Sequence, residues 1–275
     1  MLNQTEKQQL DTLCNTFRIE VLQAIHDIQS GHPGGSLSVC EILTVLYMKH
    51  AKVYPDDTAR EDQDRVVLCK GHAAPMLYRV LAEKGYFPKE EMNTLRRINS
   101  RLQGHPCIHT PGVDMPSGPL GIGLSAAQGM AMGMKLKGLD NHVYAILGDG
   151  EINEGAVWEA AMSAVKFKLD NLIAVIDRNK VQLDGTVEEI MPTEPLADKW
   201  RAFGWNVITC NGHDVSELDE AYTAAELNCG RPTVIIADTI KGKGVSFMEG
   251  KNTWHGQAIS DENLALALNE LGGNH

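Results

Sequence analysis

A chain of 275 residues with 43% hydrophobic content is long enough to bury the core of one large α/β domain. Its formal charge of −11, with no long Lys/Arg run, argues against a nucleic-acid partner, so an anionic substrate would need basic groups gathered locally. Met1 to Asp11 is polar and no apolar run approaches a bilayer span, which predicts a cytoplasmic protein with no membrane partner.

Thr5 to Gln29 places Leu10, Leu13, Phe17, Val21, Leu22, Ile25 and Ile28 at a period near 3.6, predicting a helix that ends in a breaker-rich loop, Ser30 to Gly35. A second helix is expected from about Leu37 to Lys49. The polar segment Tyr54 to Asp64 then leads into a short apolar strand, Arg65 to Cys69, and a loop, Lys70 to Pro75. Two short helices are expected between Met76 and Ile98, followed by an irregular Gly/Pro-rich stretch, Gly104 to Gly123, of the kind that carries function. Ala126 to Lys137 reads as a helix packed through small residues. Val143 to Leu147 reads as a buried parallel strand, and near-continuous apolar runs recur at Leu172 to Ile176, Trp205 to Thr209 and Thr233 to Ala237. Helices expected at Glu154 to Phe167, Pro195 to Phe203, Val215 to Asn228 and Ser260 to Leu271 complete the alternation. The fold class is α/β, a doubly wound, mainly parallel sheet with helices on both faces, as one domain over residues 1–275. Cys14, Cys40, Cys69, Cys107, Cys210 and Cys229 form no C-x-x-C pair and are expected to be reduced packing residues.

The segment Gly148-Asp149-Gly150-Glu151 follows one of these strands, and Asn179 follows the next, 30 residues after Asp149. That spacing suits one strand-helix-strand unit and would set both oxygen ligands at the carboxyl ends of neighbouring parallel strands. An acidic residue in a Gly-flanked turn can hold a hard cation, while the glycines let the backbone approach phosphate. Four of the ten histidines fall beside Gly or Pro in loops: His32, His72, His105 and His255. Imidazoles gathered beside a metal-diphosphate turn would meet hydroxyls, carbonyls or phosphate. Zinc would need close His pairs that the sequence lacks. Lys70, Lys241 and Lys243 add positive charge to loops of the same kind.

Ser30-Gly31-His32-Pro33-Gly34, Lys70-Gly71-His72-Ala73-Ala74-Pro75, Gly104-His105-Pro106, Ser117-Gly118-Pro119-Leu120-Gly121, Gly148-Asp149-Gly150 with Asn179, and Trp254-His255-Gly256 together resemble the N-terminal, diphosphate-binding part of the transketolase family over nearly the whole chain. The resemblance implies thiamine diphosphate and Mg²⁺ as cofactors. It implies Asp149, Asn179 and the main-chain carbonyl of Val181 as metal ligands, and Gly148, Gly150, His72 and His255 at the diphosphate. Gly118 and Leu120 would contact the aminopyrimidine, with Leu183 and Ile240 flanking the thiazolium. His32, His105 and His255 would surround the sugar's carbonyl and hydroxyls, with Lys70 and Lys241 near the substrate. Glu154 and Glu159 match carboxylates that link paired active sites across the family's subunit interface. One departure is Gln257, where animal-type members carry Lys.

Family members continue into a pyrimidine-binding domain that supplies the glutamate activating the cofactor. The expectation is therefore a split enzyme: an N-terminal subunit that transfers a two-carbon ketol unit between sugar phosphates when assembled, two copies of each, with a C-terminal transketolase subunit. Its first Met and its last helix, running into Leu271-Gly272-Gly273-Asn274, suggest a natural domain rather than a fragment of a longer enzyme. The alternatives are a ketol transferase for a branched or sulfonated sugar, and a non-catalytic cofactor-binding subunit.

Overall fold

The structure, a computed structural model, describes residues 1–227 and 230–272. The helix end expected at Asn228, the packing role of Cys229 and the chain end expected beyond Gly272 lie outside the described residues.

Five apolar runs become strands: β1 (Arg65–Leu68), β2 (Val143–Gly148), β3 (Leu172–Arg178), β4 (Asn206–Asn211) and β5 (Thr233–Asp238). All pair in parallel in the order β1-β2-β3-β5-β4. Alternate residues feed two separate cores, because successive side chains of a strand point to opposite faces. Tyr144, Ile146, Ile173, Val175 and Ile235 join one cluster, and Val143, Ala145, Leu147, Ala174 and Ile176 join the other. The first cluster is closed by α1 (Gln4–Ile28), α3 (Cys40–Val45), α4 (Ala74–Lys84) and α9 (Val215–Glu226). The second is closed by α5 (Gly123–Lys137), α6 (Gly155–Lys166) and α8 (Leu196–Ala202). Right-handed crossovers account for this division: β1 to β2 to β3 steps one way across the sheet, and β4 to β5 steps back, which sends α9 to the opposite face. The doubly wound α/β class expected from sequence is the observed one. No helix among the described residues is long and apolar enough to cross a membrane.

Two local expectations are corrected. The Gly-Gly segment after His32 is helical: α2 spans Pro33–Ser38, with Pro33 at its first position, where a missing N–H loses no bond. Its glycines serve close approach. A Cβ on Gly34 would lie 2.8 Å from the Trp254 carbonyl, and one on Gly35 would lie 3.1 Å from the His72 ring. The single helix expected over Leu37 to Lys49 is broken at Val39 and continues past Val45 as a π turn, Leu46–His50. The helix at Val187–Ile190 (α7), capped by Thr186 and Glu189, was not anticipated, and α10 (Asp261–Glu270) lies where the last helix was expected. Five cysteines, Cys14, Cys40, Cys69, Cys107 and Cys210, are free, as expected.

Candidate active site at the carboxyl edge of the sheet

β2 and β3 pair in register Gly148 to Asp177, so the turn after β2 and the residues after β3 emerge side by side. Asp149 is buried; its Oδ1 accepts the Gly150 N–H (2.8 Å) and its Oδ2 the Lys180 N–H (2.5 Å). Burial, then the neighbouring Asp177, pushes its carboxyl up to about 6. Asn179 is oriented from both ends: its Nδ2 donates to Asp177 Oδ2 (3.4 Å), and its Oδ1 accepts the Val181 N–H (3.2 Å). The Val181 carbonyl accepts from Lys241 Nζ at 3.2 Å. A carboxylate, an amide oxygen and a main-chain carbonyl form an all-oxygen donor set, which suits a hard cation such as Mg²⁺.

Asp177, fully buried, organises the floor beneath this turn. It accepts from Lys70, from the Ser38 hydroxyl (2.6 Å) and from the Thr239 hydroxyl. Burial opposes its ionisation, yet Lys70 and the two hydroxyls hold the carboxyl below its ordinary range. Lys70 is itself 1% exposed and also donates to the Gly35 carbonyl (3.2 Å). Lys70, expected near the substrate, has its ammonium committed to Asp177, because a buried cation without a carboxylate would be costly. Glu151 has a parallel task. Its buried carboxylate accepts the N–H groups of Gly121 (2.9 Å) and Gly148 (3.2 Å), tying the Ser117–Gly121 loop to the end of β2, and burial pushes it up to about 7.

The four loop histidines, spread from residue 32 to residue 255, converge. The His32 ring centroid lies 5.4 Å from His72, 5.5 Å from His255 and 6.1 Å from His105, and His72 lies 4.9 Å from His255. Burial and neighbouring positive groups hold them neutral. His32 is lowered to about 4, His255 to about 3, and His72 well below its ordinary value, with burial the first cause in each case. His105 is more exposed and is lowered by burial and by Arg96. Lys241, 2% exposed, donates to His255 Nδ1 at 2.8 Å and has no carboxylate partner among the described residues; burial and Lys70 lower it to about 8. Lys243 instead pairs with Glu249 in the following turn (3.4 Å).

The remaining expected contacts line an open rim. Gly118 has nothing within 4 Å of where a Cβ would stand, and Leu120, Leu183 and Ile240 are exposed at 41%, 60% and 38%. Glu154 and Glu159 do not join the imidazoles: both are exposed, at the cap and in the opening turns of α6, and neither bonds to a site histidine among the described residues. Of the buried polar atoms without a partner among the described residues, His32 Nδ1, Ser36 Oγ, Ser117 Oγ and Gln182 Nε2 all belong to segments that frame this cleft. Together with the oxygen donor set and the open space at Gly118, they fit a metal-bound diphosphate cofactor.

Four residues here escaped the sequence reading. Asp177 and Glu151 look like the end of an apolar run and a turn residue. Gln182 stands over Gly150, its Cγ 3.0 Å from where a Cβ would be. Arg96, in a left-handed conformation (φ 56°), lies against Gly104 and acts electrostatically on His32 and His105. An acidic residue two positions before Asn179 was the available signal for Asp177; Arg96 left none.

The family described as transketolase, thiamine diphosphate binding domain, matches residues 9–275. The chain is 46% identical to the 6-deoxy-6-sulfo-D-fructose transketolase subunit of Clostridium sp. (strain MSTE9), over 96% of this chain and 98% of that one. It is 40% identical to a subunit of the apulose-4-phosphate transketolase of Phocaeicola vulgatus, over 98% and 95%. Against the Homo sapiens transketolase, identity is 40% over 98% of this chain but 43% of the relative. The crystal structure of the Campylobacter jejuni transketolase superposes with a TM-score of 0.92 at 34% identity, covering 97% of this chain and 43% of that one. The chain thus spans less than half of these two longer enzymes and nearly all of the named subunits. It belongs to the transketolase thiamine diphosphate binding domain family.

Proposed function

We propose that this chain, as one domain over residues 1–275, is the N-terminal subunit of a cytoplasmic, thiamine diphosphate- and Mg²⁺-dependent transketolase. It transfers a two-carbon ketol group between sugar phosphates together with a C-terminal, pyrimidine-domain subunit, two copies of each. The observation that carries this reading is the convergence of four neutral imidazoles beside the Asp149, Asn179 and Val181 oxygens. The relatives named as subunits, matched nearly end to end, support the split arrangement.

In this reading Asp149, Asn179 and the Val181 carbonyl hold the cation, and His72, Gly148 and Gly150 frame the diphosphate, with the Gly150 main chain free of a Cβ. Thiamine diphosphate, when bound, supplies the electron sink for cleaving the carbon–carbon bond beside a ketose carbonyl. The chain's own residues position and move protons. A neutral imidazole offers one donor and one acceptor nitrogen, so His32 and His105 can each hand a proton to, or take one from, a sugar oxygen. Lys241 and Arg96 supply the local positive charge that an anionic sugar needs in a chain of charge −11. Leu120, Leu183 and Ile240 form the apolar wall, and Glu154 and Glu159 face the subunit interface.

Purified alone, the chain should show no turnover of ketose phosphates, and activity should appear on adding the C-terminal subunit; robust turnover by the chain alone overturns the split arrangement. A ketol transferase acting on a sulfonated or branched sugar is the second reading, favoured by the sugars named for the two subunit relatives. Comparing the reconstituted enzyme on fructose 6-phosphate and its 6-sulfo analogue separates the two.

A further inference from the structure

Lys241 emerges just past β5 and its backbone is pinned: the Gly242 N–H donates to the Gly34 carbonyl (3.0 Å), and the Lys241 carbonyl accepts the Gly250 N–H (2.9 Å). Its stem is packed beneath Gly34, whose missing Cβ would lie 3.0 Å from Lys241 Cγ. Its ammonium meets three acceptors, the carbonyls of Val181 (3.2 Å) and Gln182 (3.4 Å) and His255 Nδ1 (2.8 Å). Three donors against three acceptors leave the group no freedom to turn away from the ring.

We infer that Lys241 fixes His255 in the tautomer whose proton sits on Nε2, so that the free edge of this imidazole is a hydrogen-bond donor. An ammonium has donors and no acceptor, so a 2.8 Å contact requires the Nδ1 lone pair. The ring is also kept from becoming a cation, since burial, Lys241, His32 and Lys70 lower it to about 3. His72 and His32 flank it, but neither hydrogen-bonds it among the described residues, so Lys241 alone sets the choice. His255 is thereby unable to accept a proton at Nδ1, and its Nε2–H is offered to an oxygen lone pair, whether diphosphate or sugar. Lys241 is a positioning residue and His255 a donor rather than a base. The catalytic consequence rests on the proposed transketolase role; the tautomer itself does not.

The test uses the ¹⁵N-labelled chain without cofactor or partner. Two-bond ¹H–¹⁵N correlation of the imidazoles near pH 6.5, where Lys241 is still an ammonium and His255 still neutral, with His255 assigned by the signals lost in His255→Gln, should show a ring protonated at Nε2. In Lys241→Met the single-tautomer signature should be lost, with both ring nitrogens moving toward the averaged shifts of exchanging tautomers. Lys241→Arg, which keeps the donors, should restore it. A wild-type ring protonated at Nδ1 or already averaged overturns the inference, as does an unchanged pattern in a natively folded Lys241→Met. Should Lys241→Met not fold, the wild-type spectrum still decides. No ketose assay enters, so failure of the transketolase reading would leave this result standing.

Discussion

At the amino-terminal rim of the sheet, Asp64 accepts the N–H groups of Lys52 (2.7 Å) and His142 (2.8 Å). His50 is held between Glu226 (3.0 Å) and Asp219 (3.2 Å), and the Tyr144 hydroxyl donates to Glu226 (2.8 Å). At the carboxyl rim, His32, Ser36, Ser117 and Gln182 each keep a buried atom with no partner among the described residues. The amino rim leaves Asn171 Oδ1 in that condition. An unsatisfied buried group costs about 1–3 kcal/mol, so a rim that tolerates several is shaped for something other than its own stability. Chemistry of the same kind therefore closes on itself at one end of the sheet and stays open at the other. The test of this contrast is whether substitutions at the two rims damage different properties.

The largest effect is expected from Asp149→Ala. It removes the single charged donor of the oxygen set, so Mg²⁺-dependent thiamine diphosphate affinity in the reconstituted complex should fall by roughly 10²-fold or more, while the fold survives. Calorimetry returning an unchanged affinity would remove Asp149 from the site and break the contrast at its strongest point.

A smaller loss is expected where the open rim meets substrate. His32→Ala and His105→Ala should lower turnover on the order of 10²-fold for a lost proton-transfer or charge-stabilising group, with cofactor affinity nearly intact. Steady-state kinetics beside cofactor titrations separates the two outcomes. If affinity falls in step with turnover, the imidazoles serve the cofactor and the division of labour fails.

How far the sequence disclosed this site follows from where its physics resides. Strands buried on both faces are continuous apolar runs, so Val143 to Leu147 and Leu172 to Ile176 lie inside the observed β2 and β3. Asp149 and Asn179 were legible as a pair because one strand-helix-strand unit separates them. The histidines were legible as neighbours of Gly or Pro, although His72 and His255 lie in short 3-10 turns and His32 caps α2, whereas their meeting depends on segments brought together by the sheet order, which no local pattern encodes. Gly34 and Gly35 misled because glycine marks both a turn and a close approach, and here the approach of Trp254 and His72 is the reason. Asp177 hid inside an apolar run: its burial is possible because of Lys70, Ser38 and Thr239, which come from distant segments.

The closed rim should respond in the opposite sense. Tyr144→Phe deletes a hydroxyl that Glu226 accepts from and leaves packing alone, so it should destabilise the fold by about 1 kcal/mol, the net worth of one hydrogen bond. Urea unfolding should register that loss while cofactor affinity and turnover stay unchanged. A fall in cofactor affinity would mean that the two rims are coupled through β2 and that the contrast drawn here is too sharp.

The smallest expected effect is a slope. His32 titrates near 4 in the folded chain against an ordinary value of 6.5, and His255 near 3. Between those values and 6.5 the unfolded chain holds protons that the folded chain lacks, so their contribution to stability is complete above 6.5 and is lost as pH falls toward 4 and then 3. Asp149 and Glu151 run the other way. Raised to about 6 and about 7, they bind protons more readily when folded, and their contribution is lost as pH climbs through 4 to 7. The two sets oppose each other across the same window, so their joint contribution to the slope there is small. Replacing His255 with Gln removes one histidine from the balance without removing a carboxylate. Relative to wild type, the variant should therefore lose stability as pH rises from 4 to 6.5. Urea unfolding at half-unit pH steps measures the difference, and parallel profiles for the two proteins would show that His255 does not titrate as its buried, cation-flanked position requires.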